Sequence, residues 1–211
     1  MTDDDARTLH NPFISQGVFR RELAIQCPDH DPDVTLLQGP DVALTFPNQA
    51  WIDILPAARH LRSVFVDRPR AKDLSPVASL NLMNLTMSYS SHVKEWSFLR
   101  QLKQLKRLSL HNTLSLVDLE VASELRDLEI FELSGGYSKP LRLPSLLPLG
   151  RLVKLKAILM GAVRLANWSL VPIYELKDLR RFNCPTYWPK QEIAGLLRAN
   201  PLVVSNASYA A

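Results

Sequence analysis

Apolar residues in this chain keep two rhythms that alternate. At 95–112 they fall every third position, at Trp96, Leu99, Leu102 and Leu105, and then every second position, at Leu108 and Leu110. A period of three suits a tight helical turn, in which positions i and i+3 eclipse, and a period of two suits a half-buried strand. The same switch recurs from six anchors, Ile52, Leu74, Trp96, Leu119, Leu146 and Leu170, at separations of 22, 22, 23, 27 and 24 residues. Each run ends in L-x-x-L-x-L or a close variant: Leu61, Val64, Val66; Leu82, Leu85, Met87; Leu105, Leu108, Leu110; Leu128, Phe131, Leu133; Leu155, Ile158, Met160; and Leu179, Phe182, Cys184. No unit of this size buries its apolar side alone, so the units must stack.

The residues before the anchors support the turns. Asp73, Asp118, Ser145 and Ser169 can each accept a bond from exposed helix N–H groups, whereas Glu95 is a poorer cap and Trp51 is none. Pro76, Pro148 and Pro172 sit two places after their anchors, where a missing N–H costs little.

The stretch D-L-S-P-V-A-S-L-N-L-M-N-L from Asp73 resembles the units of internalin-type bacterial leucine-rich repeats, and the resemblance covers roughly 51–184. It implies an α/β right-handed leucine-rich-repeat solenoid, with a curved parallel sheet on the concave face, short 3-10 or α turns on the convex face, and protein binding. One feature departs. Where the family places an asparagine or cysteine to bond neighbouring loops, this chain has Pro69, Ser90, Thr113, Gly136, Val163 and Tyr187, of which only the serine and threonine offer a comparable side-chain bond.

The domain organisation expected is one continuous unit. Residues 1–50 form a tail and capping strands, 51–188 the six repeats, and 189–211 a C-terminal capping helix and tail. Phe19, Leu23, Ile25 and Cys27 partly alternate and read as an edge strand; Val42–Phe46 reads as a first strand beside Val64–Val66. Ile193, Leu196 and Leu197 share a face of the final helix, between Pro189 and Pro201. Caps are needed because the end units would otherwise expose the core. The extra residues at 134–140, S-G-G-Y-S-K-P, read as a loop projecting at the strand ends, with Gly135 and Gly136 taking positive φ.

Composition narrows the function. A formal net charge of +4, from 25 basic and 21 acidic residues, is mild and mixed, unlike the dense basic stripe of a nucleic-acid binder. The basic run 103–107 is interrupted by periodic leucines and reads as a solvated face. No secretory signal or membrane span is visible, and Cys27 and Cys184 read as free thiols in a cytosolic protein. Asp29, His30, Asp31 and Asp33 lack the glycine-containing spacing of a calcium loop and read as solvated. No cofactor is expected.

Strand alternation turns one set of side chains outward: Phe65 and Asp67; Asn84 and Thr86; Arg107, Ser109 and His111; Ile130 and Glu132; Leu159; Arg181 and Asn183. Tyr89, Tyr137 and Tyr187 gather just past the strands. Together these are the expected partner-binding residues, tyrosine and arginine being enriched at binding hot spots. Tyr187 and Trp188 also suit packing against the capping helix. His111 with Ser109 beside it and Glu132 on the next strand is the sole catalytic constellation, and it lacks a nucleophile elbow or oxyanion glycine. The expected function is therefore non-enzymatic binding of a protein partner by a chain that is monomeric when free. A small repeat domain with both caps and no anchor resembles immunity proteins that neutralise a cognate toxin. The alternative is a structural or adaptor subunit.

Overall fold

The computed structural model describes residues 24–27, 32–136 and 138–206. The expected features of 1–23, Asp29, His30 and Asp31, Tyr137, and the end of the C-terminal tail lie outside these residues. Nine strands form one parallel sheet in the order β1-β2-β3-β4-β5-β6-β8-β10-β11. They are β1 (Ala24–Gln26), β2 (Asp41–Thr45), β3 (Ser63–Asp67), β4 (Asn84–Ser88), β5 (Arg107–His111), β6 (Ile130–Ser134), β8 (Ala157–Gly161), β10 (Arg181–Asn183) and β11 (Val204–Ser205). Pairing is in register, so Val64, Leu85, Leu108, Phe131, Ile158 and Phe182 stand in one buried column. Between strands the chain returns through short 3-10 turns, such as Ser75–Ser79, Ser97–Gln101 and Leu147–Arg151. All six anchors are buried with these columns in one apolar core.

The caps work as their chemistry requires. Asp73 accepts from Ser75 N at 2.8 Å, Asp118 from Glu120 N at 2.9 Å, Ser145 from Leu147 N at 3.2 Å and Ser169 from Val171 N at 3.3 Å. The first anchor differs: Ile52 lies in a one-turn α-helix, Gln49–Asp53, capped by Asn48, whose Oδ1 accepts from Trp51 N. Helix Lys190–Ala199 buries Ile193 and Leu196 at the far end. The basic run 103–107 belongs to a ladder of exposed ion pairs between repeats, with Lys103 on Glu124 and both Lys106 and Lys156 on Glu129. Such solvated pairs add little stability.

The 134–140 segment does not end in a simple projecting loop. It leads into β7 (Leu141–Leu143), which pairs in parallel with β9 (Val163–Leu165) in a second, two-stranded sheet. Leu141, Leu143, Val163 and Leu165 are buried there. Gly135 and Gly136 do not take positive φ. Gly135 is needed for close approach instead: a Cβ there would lie 2.3 Å from Leu141 N and 2.4 Å from Ala162 O.

Positive φ falls on six non-glycine residues among those described, Phe46 (55°), Arg68 (47°), Tyr89 (53°), Asn112 (53°), Ala162 (50°) and Trp168 (53°). The first five each directly follow a strand. In that conformation the N–H of Phe46, Arg68, Tyr89 and Asn112 still reaches the last carbonyl of the next strand, at 2.8–2.9 Å, while the chain turns away. Left-handed backbone costs a non-glycine residue about 1–2 kcal/mol. Ala162→Gly is therefore expected to raise stability by about 0.5–1 kcal/mol, glycine's greater unfolded-state freedom offsetting part of the relief. Urea unfolding checks this, and a stability loss would show that Ala162 is not strained.

Candidate binding surface and cavity

On the face turned away from the helical turns, one side-chain row runs Ala43, Phe65, Thr86, Ser109, Glu132, Leu159 and Asn183 across the in-register strands. The middle of this row, expected to contact a partner, is polar but closed to solvent. Thr86, Ser109 and Glu132 are buried, at 2%, 0% and 5% exposure. Alternation says which way a side chain points, not how much water reaches it. Thr86 and Ser109 are short and stand among longer neighbours, Phe65, Arg107, His111 and Glu132. Phe65, Asp67, Asn84, Arg107, Ile130, Leu159, Arg181 and Asn183 are half-buried, while Tyr89 and Tyr187 are exposed.

His111 lies at the end of β5, and its in-register neighbour on β6 is Ser134. Nδ1 is 3.1 Å from Ser134 Oγ, and Nε2 is 3.9 Å from Glu132 Oε2. Ser109, the expected partner, makes no such bond; its Oγ is buried without a hydrogen-bond partner. The reason is distance: residues i and i+2 of one strand are about 6.6 Å apart, whereas paired residues on adjacent strands are about 4.8 Å apart. Burial holds the His111 imidazole below its ordinary pKa, favouring the neutral ring. Ser134–His111–Glu132 has triad membership without triad geometry. The carboxylate is too far from the ring to hydrogen-bond it, and the neighbouring Gly135 amide is committed to Gly161 O at 2.9 Å. Among the described residues, no cluster of three His, Cys, Asp or Glu could hold a metal. Cys27 and Cys184 are unbridged and buried, and burial pushes both thiols up to about 12.

His111, Glu132 and Ser134 line a cavity of about 890 Å³ at the C-terminal ends of β4, β5, β6, β8 and β10. Ser88, His111, Glu132 and Asn183 supply polar atoms; Leu114, Leu159 and Met160 supply apolar wall. Aromatic clusters flank it. On one side the Arg68 guanidinium lies 4.4 Å over the Tyr89 ring and 5.7 Å from that of Phe46. On the other, Arg164 lies 5.5 Å over Tyr187, and Trp168 packs edge-on against both Tyr187 and Trp188. Tyr187 Oη and Trp188 Nε1 both donate to Val163 O at 3.0 Å, because β9 brings that carbonyl beside them.

Neither a protein-family model nor a curated protein sequence matches the chain. Solved structures do. Internalin C2 from Listeria monocytogenes superposes with a TM-score of 0.55 at 17% identity, over 75% of this chain and 65% of that one. The fold is a leucine-rich-repeat solenoid. A leucine-rich-repeat protein from Leptospira interrogans aligns with a TM-score of 0.42 and 16% identity, over 81% of this chain and 55% of that one. This chain thus spans less than two-thirds of either.

Within the leucine-rich-repeat frame, the missing asparagine ladder is replaced piecemeal. Ser90 bonds back to Ser88 O within its own loop, and Thr113 Oγ1 has no partner, so neither ties loops together. Residues placed slightly further on do so: His92 Nε2 lies 3.1 Å from Ala71 O, and Ser115 Oγ donates to Ser90 O at 3.4 Å. At the last turn Asn206 takes the role, with Nδ2 donating to Cys184 O and Oδ1 accepting from Cys184 N, each at 2.9 Å.

Among the expected residues, the cavity gathers Tyr89, His111, Glu132, Leu159 and Asn183. Phe65, Asp67, Asn84, Thr86, Arg107, Ser109, Ile130, Arg181 and Tyr187 lie outside its lining, and Tyr137 lies outside the described residues. Sequence reasoning missed Phe46, Arg68 and Arg164. For the first two a signal existed: each directly follows the alternating run of its strand, as Tyr89 does.

Proposed function

We propose that this chain is a protein-binding module whose partner contacts the concave sheet and the rim formed by the strand ends. Phe65, Asp67, Asn84, Arg107, Ile130, Leu159, Arg181 and Asn183 supply the accessible part of the sheet, and Tyr89 and Tyr187 supply the rim. Thr86, Ser109 and Glu132 support these positions from below. The observation that carries this reading is the Phe46–Arg68–Tyr89 stack. Three successive repeats hold large, exposed side chains on left-handed backbone, with arginine between two rings. Aromatic residues and arginine at low conformational cost make good anchors. Tyr187 offers a second anchor four strand steps from Tyr89, about 19 Å away.

The finer reading is an immunity function, in which the partner is a toxin that this chain neutralises. The leucine-rich-repeat form and the absence of triad geometry around His111 support it. Affinity capture from the native host tests both levels. Arg68→Ala with Tyr89→Ala is expected to reduce recovery of a stoichiometric partner at least tenfold while leaving the circular dichroism and unfolding midpoint unchanged. Unchanged recovery would remove the rim from the interface. A captured partner that is toxic alone and harmless beside this chain supports immunity. A set of larger cytosolic subunits instead points to an adaptor.

A further inference from the structure

Acidic and basic residues are spread unevenly along the chain. Between Glu132 and Glu175 stand six lysines and arginines, Lys139, Arg142, Arg151, Lys154, Lys156 and Arg164, and no aspartate or glutamate. Three of the six take a carboxylate from the preceding repeat: Arg151 pairs with Glu120, Lys154 with Asp127 and Lys156 with Glu129. The other three, Lys139, Arg142 and Arg164, have no ion-pair partner among the described residues. The fold then gathers these three. β7 and β9 pair with Arg142 opposite Arg164; each strand buries its two flanking aliphatic side chains and leaves its arginine exposed on the outer face. Paired residues on adjacent strands are about 4.8 Å apart, and like charges directly opposite each other cost a sheet stability. Lys139 is exposed on the connection that leads into β7. Tyr187, 47% exposed, closes the other end, with the Arg164 guanidinium 5.5 Å over its ring. All four residues are open to solvent, so a ligand reaches them without any movement of the fold.

We propose that the outer face of the β7–β9 sheet, with Lys139, takes an acidic segment of the partner protein, a carboxylate of that segment lying between Arg142 and Arg164. Charge selects the occupant. An aspartate or glutamate placed there turns one repulsion into two attractions, and the planar guanidinium fork can offer a carboxylate two parallel N–H donors. Three cations and one tyrosine fall short of the dense basic stripe that a phosphate backbone requires, which favours protein over nucleic acid. The inference rests on the protein-binding reading and adds, beside its Tyr187 anchor, the charge of the segment that docks there.

The test needs no partner. A fluorescein-labelled peptide of alternating glutamate and glycine is the probe, its glutamine counterpart is the neutral control, and anisotropy at low ionic strength reads binding to the full chain. The acidic peptide is expected to bind at least tenfold tighter than the glutamine one. Arg142→Gln with Arg164→Gln is expected to weaken it at least tenfold. Lys103→Gln with Lys154→Gln removes the same net charge from exposed ion pairs elsewhere and is expected to change it by no more than about twofold. Equal binding of the two peptides overturns the proposal, and so does equal weakening by the two double variants, which would make net charge the cause. Tighter binding of an oligothymidylate of equal charge overturns it in favour of nucleic acid. Arg142→Gln alone keeps the test open if the double variant fails to fold. Failure of the peptide leaves a captured partner standing, whereas a chain that binds the peptide but recovers no protein from its host would sink the protein-binding reading itself.

Discussion

Phe131→Ala is expected to lower stability by about 3–5 kcal/mol, a fall in Tm of about 6–20 °C for a chain of this length. Phe131 is fully buried in β6 and lies in register between Leu108 of β5 and Ile158 of β8. Removing the ring leaves a cavity that three strands share. Rigid in-register pairing on both sides limits how far they can collapse into it. In a stacked solenoid each repeat touches only its neighbours, so a central fault weakens the coupling between the two halves. Urea unfolding should therefore show a lower midpoint and a broadened or split transition. Val153→Ala, at a side chain 64% exposed, should stay within about 0.5 kcal/mol of the parent. A Phe131→Ala protein as stable as that control would mean that the central column is not where the fold is held together.

The repeating core was legible because it is written in period. A switch from three to two at six near-constant spacings has few physical solutions, and every anchor and strand residue read from it is buried. The capping aspartates and serines were legible for the same local reason: the bond spans two residues. What could not be read was set by proximity between repeats. His111 finds Ser134 rather than Ser109 because register, not sequence separation, brings side chains together. Arg68 resembles any surface arginine until pairing places Phe46 and Tyr89 on either side of it. The β7–β9 sheet went unread although L-R-L and V-R-L alternate, since three residues give too little pattern to distinguish a strand from a loop. The double glycine was read for freedom of φ, whereas its first member serves close approach.

That distinction sets the second large effect. Gly135→Ala is expected to destabilise the protein by about 1–3 kcal/mol, because the new methyl has no space to enter. Its Cβ would lie 2.3 Å from Leu141 N and 2.4 Å from Ala162 O, and these two atoms bond each other at 2.9 Å. Both are backbone, so relief requires moving the start of β7 or the turn before β9. Either shift disturbs the carbonyl of Val163, which anchors Tyr187 and Trp188, and the cavity wall to which Gly135 contributes. Gly136→Ala is the informative comparison. Its Cβ would meet Asn112 Oδ1 at 2.9 Å, the end of a side chain that can rotate away, so the cost should be about 1 kcal/mol or less. Amide exchange at Leu141 reads the local break directly: faster exchange in Gly135→Ala but not in Gly136→Ala is the expected result. Equal stability and equal exchange in the two variants would show that the β6–β7 connection yields freely, and that the second sheet does not brace the cavity and aromatic rim.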